Sequence, residues 1–435
     1  MQKDKFDKRY VMLLLLMSFV LYLVWSFVIP FGQGPDEVQR FDVANFIFKY
    51  RQLPVTGDER LIYGAYGVTY ASTPYFPHLL SGLVCILFNV IGINVPTYLA
   101  ARLVSVFSGV TAVYFCFKIS ERIFKESKLK YFFPIFIMFI PQFAFSAAYV
   151  NQDSFTIMLV AIMIYLWLRG IETNWNYKTV IAVGVTCGVV ILSYLNGYTI
   201  IVATLVVVLI TYKNLNTKEF YKKLAICLGL MFLVSGWFFI RNATINNGDF
   251  LGLTHSRELA EELAEPGYKP SQRNTLKQQG LGFSDLLTKT GWIQSSFNSF
   301  WGTLGNMDKL MPATYYVVMI IISLAAFGGF VSKVKDKLKK GFSTIKKYPL
   351  YIGLVSSIVL SFLLDIIYSR NFDYQPQGRY LFPALIPIII LMCVGLREII
   401  PKKYETIVYK VLSLVFVAYN FIALVYVLYM AYYIR

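Results

Sequence analysis

The chain has 435 residues, of which 57% are hydrophobic, 17% aromatic and only 15% charged. A soluble protein would carry about 25% charged residues, so this composition excludes a soluble globular fold. The net charge of +17 would suggest nucleic acid in a soluble protein. Here the lysines and arginines are split among loops, which argues against that partner and fits basic loops facing a cytoplasm.

Apolar runs recur along the whole chain, each long enough to cross about 30 Å of hydrocarbon. An outer-membrane barrel would show alternating segments of about 10 residues instead. The first span, 11–31, follows Lys3, Lys5, Lys8 and Arg9. Its core is too long for a cleaved leader, so it is expected to be an uncleaved anchor with a cytoplasmic N-terminus. Further spans are expected at 97–118, 131–149, 154–170, 179–195, 197–212, 224–240, 312–332, 349–368, 380–396 and 410–432, about eleven crossings in all.

The apolar stretch 74–91 is the ambiguous one. If it does not cross, the loops 118–130, 213–223, 333–347 and 397–410 all face inside, with five, four, seven and four Lys/Arg. If it crosses, all four move outside, against the positive-inside rule. With Pro74, Pro77 and His78 at its start, it is expected to sit half-sunk on the outer side. The outside then holds two large loops, 32–96 and 241–311. In the first, Val43, Phe46, Ile47 and Tyr50 share one helical stripe, which predicts a surface helix over 36–50.

The polar residues that interrupt this pattern carry the chemistry. Gly34-Pro35-Asp36-Glu37 places two adjacent carboxylates just beyond the first span, where ionisable groups are functional candidates by default. Asp36 and Glu37 read as a general base, or as ligands of a catalytic metal. The structural alternative is helix capping with an Asp36–Arg40 pair one turn apart. Asn151-Gln152-Asp153 forms a tight outer turn, in which Asp153 either caps the next helix or faces Asp36. Gln377-Gly378-Arg379-Tyr380-Leu381-Phe382-Pro383 opens a span from outside. An arginine entering an apolar helix needs an anionic partner, and its planar fork suits phosphate. Asp365 and Arg370 read as a structural ion pair, and Arg241 as a boundary charge or a second anion contact. His78 and His255 are the two histidines, too few for a His-rich zinc site. No nucleotide-binding loop or lipase-type elbow is present. The five cysteines (Cys85, Cys116, Cys187, Cys227, Cys393) lie in apolar stretches without metal spacing and read as packed thiols.

In this order, the motifs resemble the GT-C superfamily of membrane glycosyltransferases, whose acidic motif follows the first span and precedes surface-lying helices. They resemble more closely a bacterial branch known as predicted membrane proteins. The carrying residues are Pro35-Asp36-Glu37, Asn151-Gln152-Asp153, Arg241-Asn242 and 377–383, and the resemblance runs over about 11–396. The chain departs from related branches in beginning its second surface helix Pro-Tyr-Phe-Pro-His, which leaves a role for His78 open.

The resemblance implies an all-α, polytopic, GT-C-like fold forming a single membrane domain in a bacterial cell membrane, with its site on the extracytoplasmic face. It implies transfer of a hexose or pentose from a polyprenyl-phosphate donor to a glycan, teichoic-acid-like or lipid acceptor of the envelope. Asp36 would be the base of an inverting displacement. Arg379 would hold the phosphate, with Arg241 or Arg370, and Gln377, Tyr380, Asn151, Asp153 and His78 would contact substrate. Mg2+ or Mn2+ on Asp36 and Glu37 is the metal-dependent variant. Enzymes that make or flip the donor are the implied partners. A flippase for lipid-linked saccharide, or an oligosaccharide polymerase or ligase, is the alternative. A transporter, however, should carry its polar groups near the bilayer midplane.

Overall fold

The computed structural model describes residues 6–125, 127–338 and 348–434. Lys3, Lys5 and much of the basic connector 333–347 lie outside the described residues. The first helix, α1 (Lys8–Val28), begins where the Asp7 carboxylate accepts from the Arg9 N–H. It ends at Ile29, which Pro30 holds in an extended conformation. There follow α2 (Glu37–Tyr50), α3 (Phe76–Val90), α4 (Thr97–Ile123), α5 (Leu129–Phe139), α6 (Pro141–Ser146), α7 (Asp153–Thr173), α8 (Tyr177–Ile191) and α9 (Tyr198–Thr211). The second half holds α10 (Lys218–Ile245), α11 (Leu253–Leu263), α12 (Phe283–Lys289), α13 (Trp292–Gly302), α14 (Ala313–Leu338), α15 (Pro349–Asn371), α16 (Leu385–Ile399) and α17 (Glu405–Phe421), the last continuing as a π-helical stretch to Ile434. A two-residue hairpin, β1 (Thr303–Leu304) with β2 (Lys309–Leu310), is the strand structure among the described residues.

Among the described residues, eight helical segments are long and apolar enough to cross a membrane. The other three expected spans appear as shorter helices, Leu129–Phe139, Tyr177–Ile191 and Leu195–Thr211. The span expected at 131–149 is broken because Pro141 has no N–H to continue the helix and forces Ile140 into an extended conformation (ψ 120°). The tightest helix contact sits between α14 and α16. A β-carbon on Gly395 would lie 1.8 Å from the Ala326 carbonyl oxygen, and one on Gly329 would lie 2.2 Å from that of Gly395. Such small-residue contacts pack membrane helices, which lack a hydrophobic drive to associate within lipid.

The 36–50 and 74–91 expectations both appear as helices. Val43, Phe46 and Ile47 are buried, while Tyr50 stays exposed beneath the Arg60 guanidinium. α2 rests on α3, where Gly82 lets the Ala44 carbonyl approach closely. The α3 helix starts with the Phe76 N–H bonded to the Leu192 carbonyl, at the end of α8. Nine residues later, within α3, the Cys85 thiol meets the Thr97 carbonyl, at the start of α4. These contacts set α3 against the end of α8 and the start of α4.

One end of the bundle collects both large loops. Arg241 bonds the Leu53 and Pro54 carbonyls, the Glu265 N–H bonds the Ala65 carbonyl, and the Lys277 N–H bonds the Arg370 carbonyl. The basic connectors gather at the other end, where Ser127 and Lys128 meet Glu405, and Arg122 meets Glu172. With Lys125→Cys and Asn274→Cys variants, a membrane-impermeant maleimide should label residue 274 on intact cells and residue 125 only after permeabilisation. Labelling of both from one side would break this two-ended arrangement.

Candidate active site

The adjacent carboxylates of the Gly-Pro-Asp-Glu motif have opposite fates. Glu37 is fully buried against Arg102 of α4, with Arg102 Nε 2.7 Å from Oε1 and Nη2 2.8 Å from Oε2. The Gly32 and Val150 N–H groups also donate to Glu37, at 2.9 and 3.1 Å. Arg102 sends its remaining N–H groups to the Ser26, Ile29 and Pro30 carbonyls, at 2.6, 2.7 and 3.3 Å. All five guanidinium donors are therefore engaged, and the terminal carbonyls of α1 gain the partners that a helix end otherwise lacks. Glu37 has no lone pair left for a metal, so its place as a catalytic or metal-ligating residue is corrected to a structural one.

Asp36 takes the other direction. Its backbone starts α2 in the left-handed region (φ +59°), a conformation that aspartate tolerates better than most residues. Its side chain makes no capping bond, but the Asp36–Arg40 pair of the structural alternative is formed. The carboxylate instead accepts from Arg379 Nη2 at 2.7 Å and Arg40 Nη2 at 3.2 Å, and remains 36% exposed. Burial alone would raise its pKa. The Arg379 and Arg40 charges, with hydrogen bonds from Arg379 and Tyr70, outweigh burial and hold Asp36 well below the usual carboxylate range. Asp36 is thus ionised throughout the physiological pH range. Gly34 lets this turn lie flat on Tyr149, since a β-carbon there would sit 2.3 Å from the ring.

Two nearly buried arginines frame Asp36. Arg379 lies in the 3₁₀ segment Gly378–Ala384, with Nε on the Gln377 side-chain oxygen at 2.6 Å and Nη2 3.3 Å from the Tyr380 hydroxyl. That segment is pressed onto α13: the Gly378 N–H bonds Ser299 Oγ at 2.7 Å, and a β-carbon on Gly378 would overlap the Phe300 nitrogen. Arg40 lies over the Tyr70 ring at 5.0 Å. Burial pushes the Tyr70 phenol up to about 12, against the pull of Arg40, so it is a neutral donor. Among the described residues, Arg40 Nε and Nη1 and Arg379 Nη1 are buried without a hydrogen-bond partner.

The Asn151 turn supplies the opposing charge. The Asn151 side-chain oxygen caps α7 by accepting from the Asp153 and Ser154 N–H groups, at 2.8 and 3.1 Å. This frees Asp153 from capping. Both of its buried oxygens lack a partner among the described residues, within electrostatic reach of Arg40, Arg379 and Asp36. His78 is buried beside Gln152 and edge-on to Tyr70, with Nδ1 unpartnered among the described residues. An apolar groove of about 380 Å³ runs between α3, α4 and α7, past Leu80, Val84, Phe107, Phe155 and Met158.

Two expected contacts lie elsewhere. Arg241 ties α10 to the first loop through the Leu53 and Pro54 carbonyls. Arg370 braces the second loop, with Nε on the Leu281 carbonyl and its guanidinium over Phe283. Among the described residues both Asp365 oxygens are without a partner, so the expected Asp365–Arg370 pair is not formed. The residues that sequence reading missed are Arg102 and Tyr70. Arg102 had a signal, since an arginine inside an apolar span requires a buried partner.

The described residues do not fit a divalent cation at this site. Glu37 is saturated, Asp36 is flanked by two cations, and no group of three or more His, Cys, Asp or Glu residues is placed to hold a metal.

Fold and site together define a multi-pass helical membrane protein with a buried charge cluster at one end of the bundle. The chain belongs to the family described as "Predicted membrane protein (DUF2142)", which it matches over residues 42–389. No match is found among curated proteins. In structure it is similar to ArnT from Cupriavidus metallidurans bound to undecaprenyl phosphate, at 15% identity and TM-score 0.44, over 92% of this chain and 78% of that one. It is also similar to the Archaeoglobus fulgidus oligosaccharyltransferase in complex with Zn and sulfate, at 13% identity and TM-score 0.49, over 94% of this chain and 52% of that one. The chain thus spans about half the length of the latter.

Removing one member of the Glu37–Arg102 pair should cost about 3–5 kcal/mol, because it strands a buried charge. Glu37→Ala should therefore lower the thermal midpoint in detergent markedly, and the double variant with Arg102→Met should recover part of the loss. Asp36→Asn should leave the midpoint much less changed.

Proposed function

We propose that this protein transfers a sugar from a polyprenyl-phosphate donor to a hydroxyl of a cell-envelope acceptor on the extracytoplasmic face. One observation carries the reading: Asp36 stands between two nearly buried guanidiniums that keep N–H groups free. Free, preoriented guanidinium donors suit phosphate oxygens. In this reading Arg379 and Arg40 hold the donor phosphate, and Asp36 accepts the acceptor's hydroxyl proton. The acceptor oxygen bonds the anomeric carbon from the face opposite the phosphate. The bond from that carbon to the phosphate oxygen breaks, and its electron pair leaves with the phosphate. Phosphate is a competent leaving group, so no partner acid is needed of the kind glycosidases use. Donor binding also strengthens the base: a phosphate drawing on Arg379 and Arg40 brings negative charge to Asp36 and raises its low pKa.

The polyprenyl chain is assigned to the groove between α3, α4 and α7, whose lining residues Leu80 and Phe155 lie two residues from His78 and Asp153 in the chain. A flippase is less well supported, because the unpartnered charges sit at the helix ends. Donor and acceptor identity are read from cells. Without the protein, one polyprenyl-phospho-sugar should accumulate and one envelope glycan should lose a sugar, by mass spectrometry.

Asp36→Asn, expressed at normal level, should reproduce that phenotype, with transfer reduced about 10²–10⁴-fold as expected for loss of a general base. Its undecaprenyl-phosphate binding should be preserved or tightened, since Arg379 is released. Full transfer by this variant would end the assignment of Asp36. Arg379→Ala should weaken undecaprenyl-phosphate binding at least about tenfold, on the scale of a lost charged hydrogen bond; an unchanged Kd would remove its phosphate role.

A further inference from the structure

A second groove, larger than the first, lies at the opposite end of the bundle. It has a volume of about 630 Å³ between α9, α14 and α15, and is walled by Val202, Val206, Phe330, Val355, Val359 and Leu360. Along α15 the lining runs from Tyr348 to Leu360, about 18 Å at 1.5 Å per residue. One leaflet contributes about 15 Å of hydrocarbon, so the groove has the depth of a single leaflet. It ends well short of the Asp36 cluster.

The mouth of this groove is cationic. Lys333 lines it and pairs with Glu398, leaving ammonium protons for a further acceptor. Lys335 is exposed one residue beyond Val334, and exposed Arg397 lies close to Tyr351. The sequence between Lys335 and Tyr348 adds five further lysines. Basic segments at the cytoplasmic surface attract anionic lipid headgroups.

We propose that this groove binds an anionic phospholipid of the cytoplasmic leaflet, with one acyl chain lying along α15, the headgroup phosphate held by Lys333, and Lys335 adding to the positive surface beside it. The site is separate from the proposed donor site in position, leaflet and headgroup partner, and stands whether or not the chain is a transferase. A bound lipid fills the gap between α9, α14 and α15, which direct helix packing leaves open.

The test uses the full-length protein in nanodiscs and native mass spectrometry, with phosphatidylglycerol and phosphatidylcholine as probes. Phosphatidylglycerol should be retained in preference to phosphatidylcholine. Each lysine near a charged surface contributes about fivefold, so the Lys333→Gln, Lys335→Gln double variant should lower phosphatidylglycerol affinity about thirtyfold. Val355→Trp, which fills the groove, should abolish retention of this lipid while leaving undecaprenyl-phosphate binding as in the unmodified protein. The charge variants lie at the exposed rim, so they answer the question even if the tryptophan variant folds poorly. Equal retention of both phospholipids, or an unchanged affinity in the double-lysine variant, would overturn the proposal. So would displacement of the groove lipid by undecaprenyl phosphate.

Discussion

The buried Glu37–Arg102 pair is the constraint on which the site depends. Removing two such charges from water costs several kcal/mol per ion, and mutual attraction offsets this only when every remaining donor and acceptor is satisfied. That condition is met: five guanidinium donors and four incoming hydrogen bonds on the carboxylate close the network. The pair joins the end of α1, the start of α2, the outer half of α4 and the turn before α7. Those elements also carry Asp36, Arg40 and Asp153. The geometry of the open cluster is thus set by a closed one, a single residue away along the chain.

This division explains why one of two adjacent carboxylates can be reactive. Asp36 reaches its place through a left-handed backbone turn, which points its side chain away from that of Glu37 and towards Arg379. The surrounding network stays incomplete, with free N–H groups on both arginines and free oxygens on Asp153. In a low dielectric, a partly satisfied polar network is costly. Its presence beside a closed, fully satisfied neighbour supports the proposed function, in which the donor phosphate completes the open network.

Much of this was legible in the sequence. Hydropathy located the eight long apolar helices and three of the shorter ones. The stripe Val43, Phe46, Ile47 and Tyr50 predicted α2, although Tyr50 proves exposed. The failures have physical causes. The break at Ile140 was missed because an apolar run was weighed above the proline within it. Glu37 and Asp36 could not be distinguished, because their fates are decided by Arg102, 65 residues away, and by a backbone angle at Asp36. Arg379 was found through the expense of placing charge in an apolar helix. Arg102 obeys the same rule and was overlooked, because its partner lies on another element. Arg241 and Arg370 look alike in sequence but serve loop carbonyls, a choice that only tertiary structure makes.

The charge balance of the two ends differs, and the difference matters for lipids that carry phosphate. At the mouth of the larger groove, Lys333 pairs with Glu398, with Lys335 and Arg397 close by among the described residues, which suits the proposed retention of an anionic headgroup. At the outer cluster, two arginines are set against Asp36 and Asp153. Under the proposed transfer, a phosphodiester with one negative charge becomes a phosphate monoester with up to two. Two uncompensated arginines in a buried site would hold that product more tightly than the donor and slow its release. The aspartates reduce this excess attraction. Once Asp36 passes the proton it took to the phosphate monoester, whose second pKa is about 6, its carboxylate regains its pairing with Arg379 as the phosphate departs. The low pKa that weakens Asp36 as a base in the free protein therefore has a use at the end of the cycle, because re-forming that ion pair helps to expel the product.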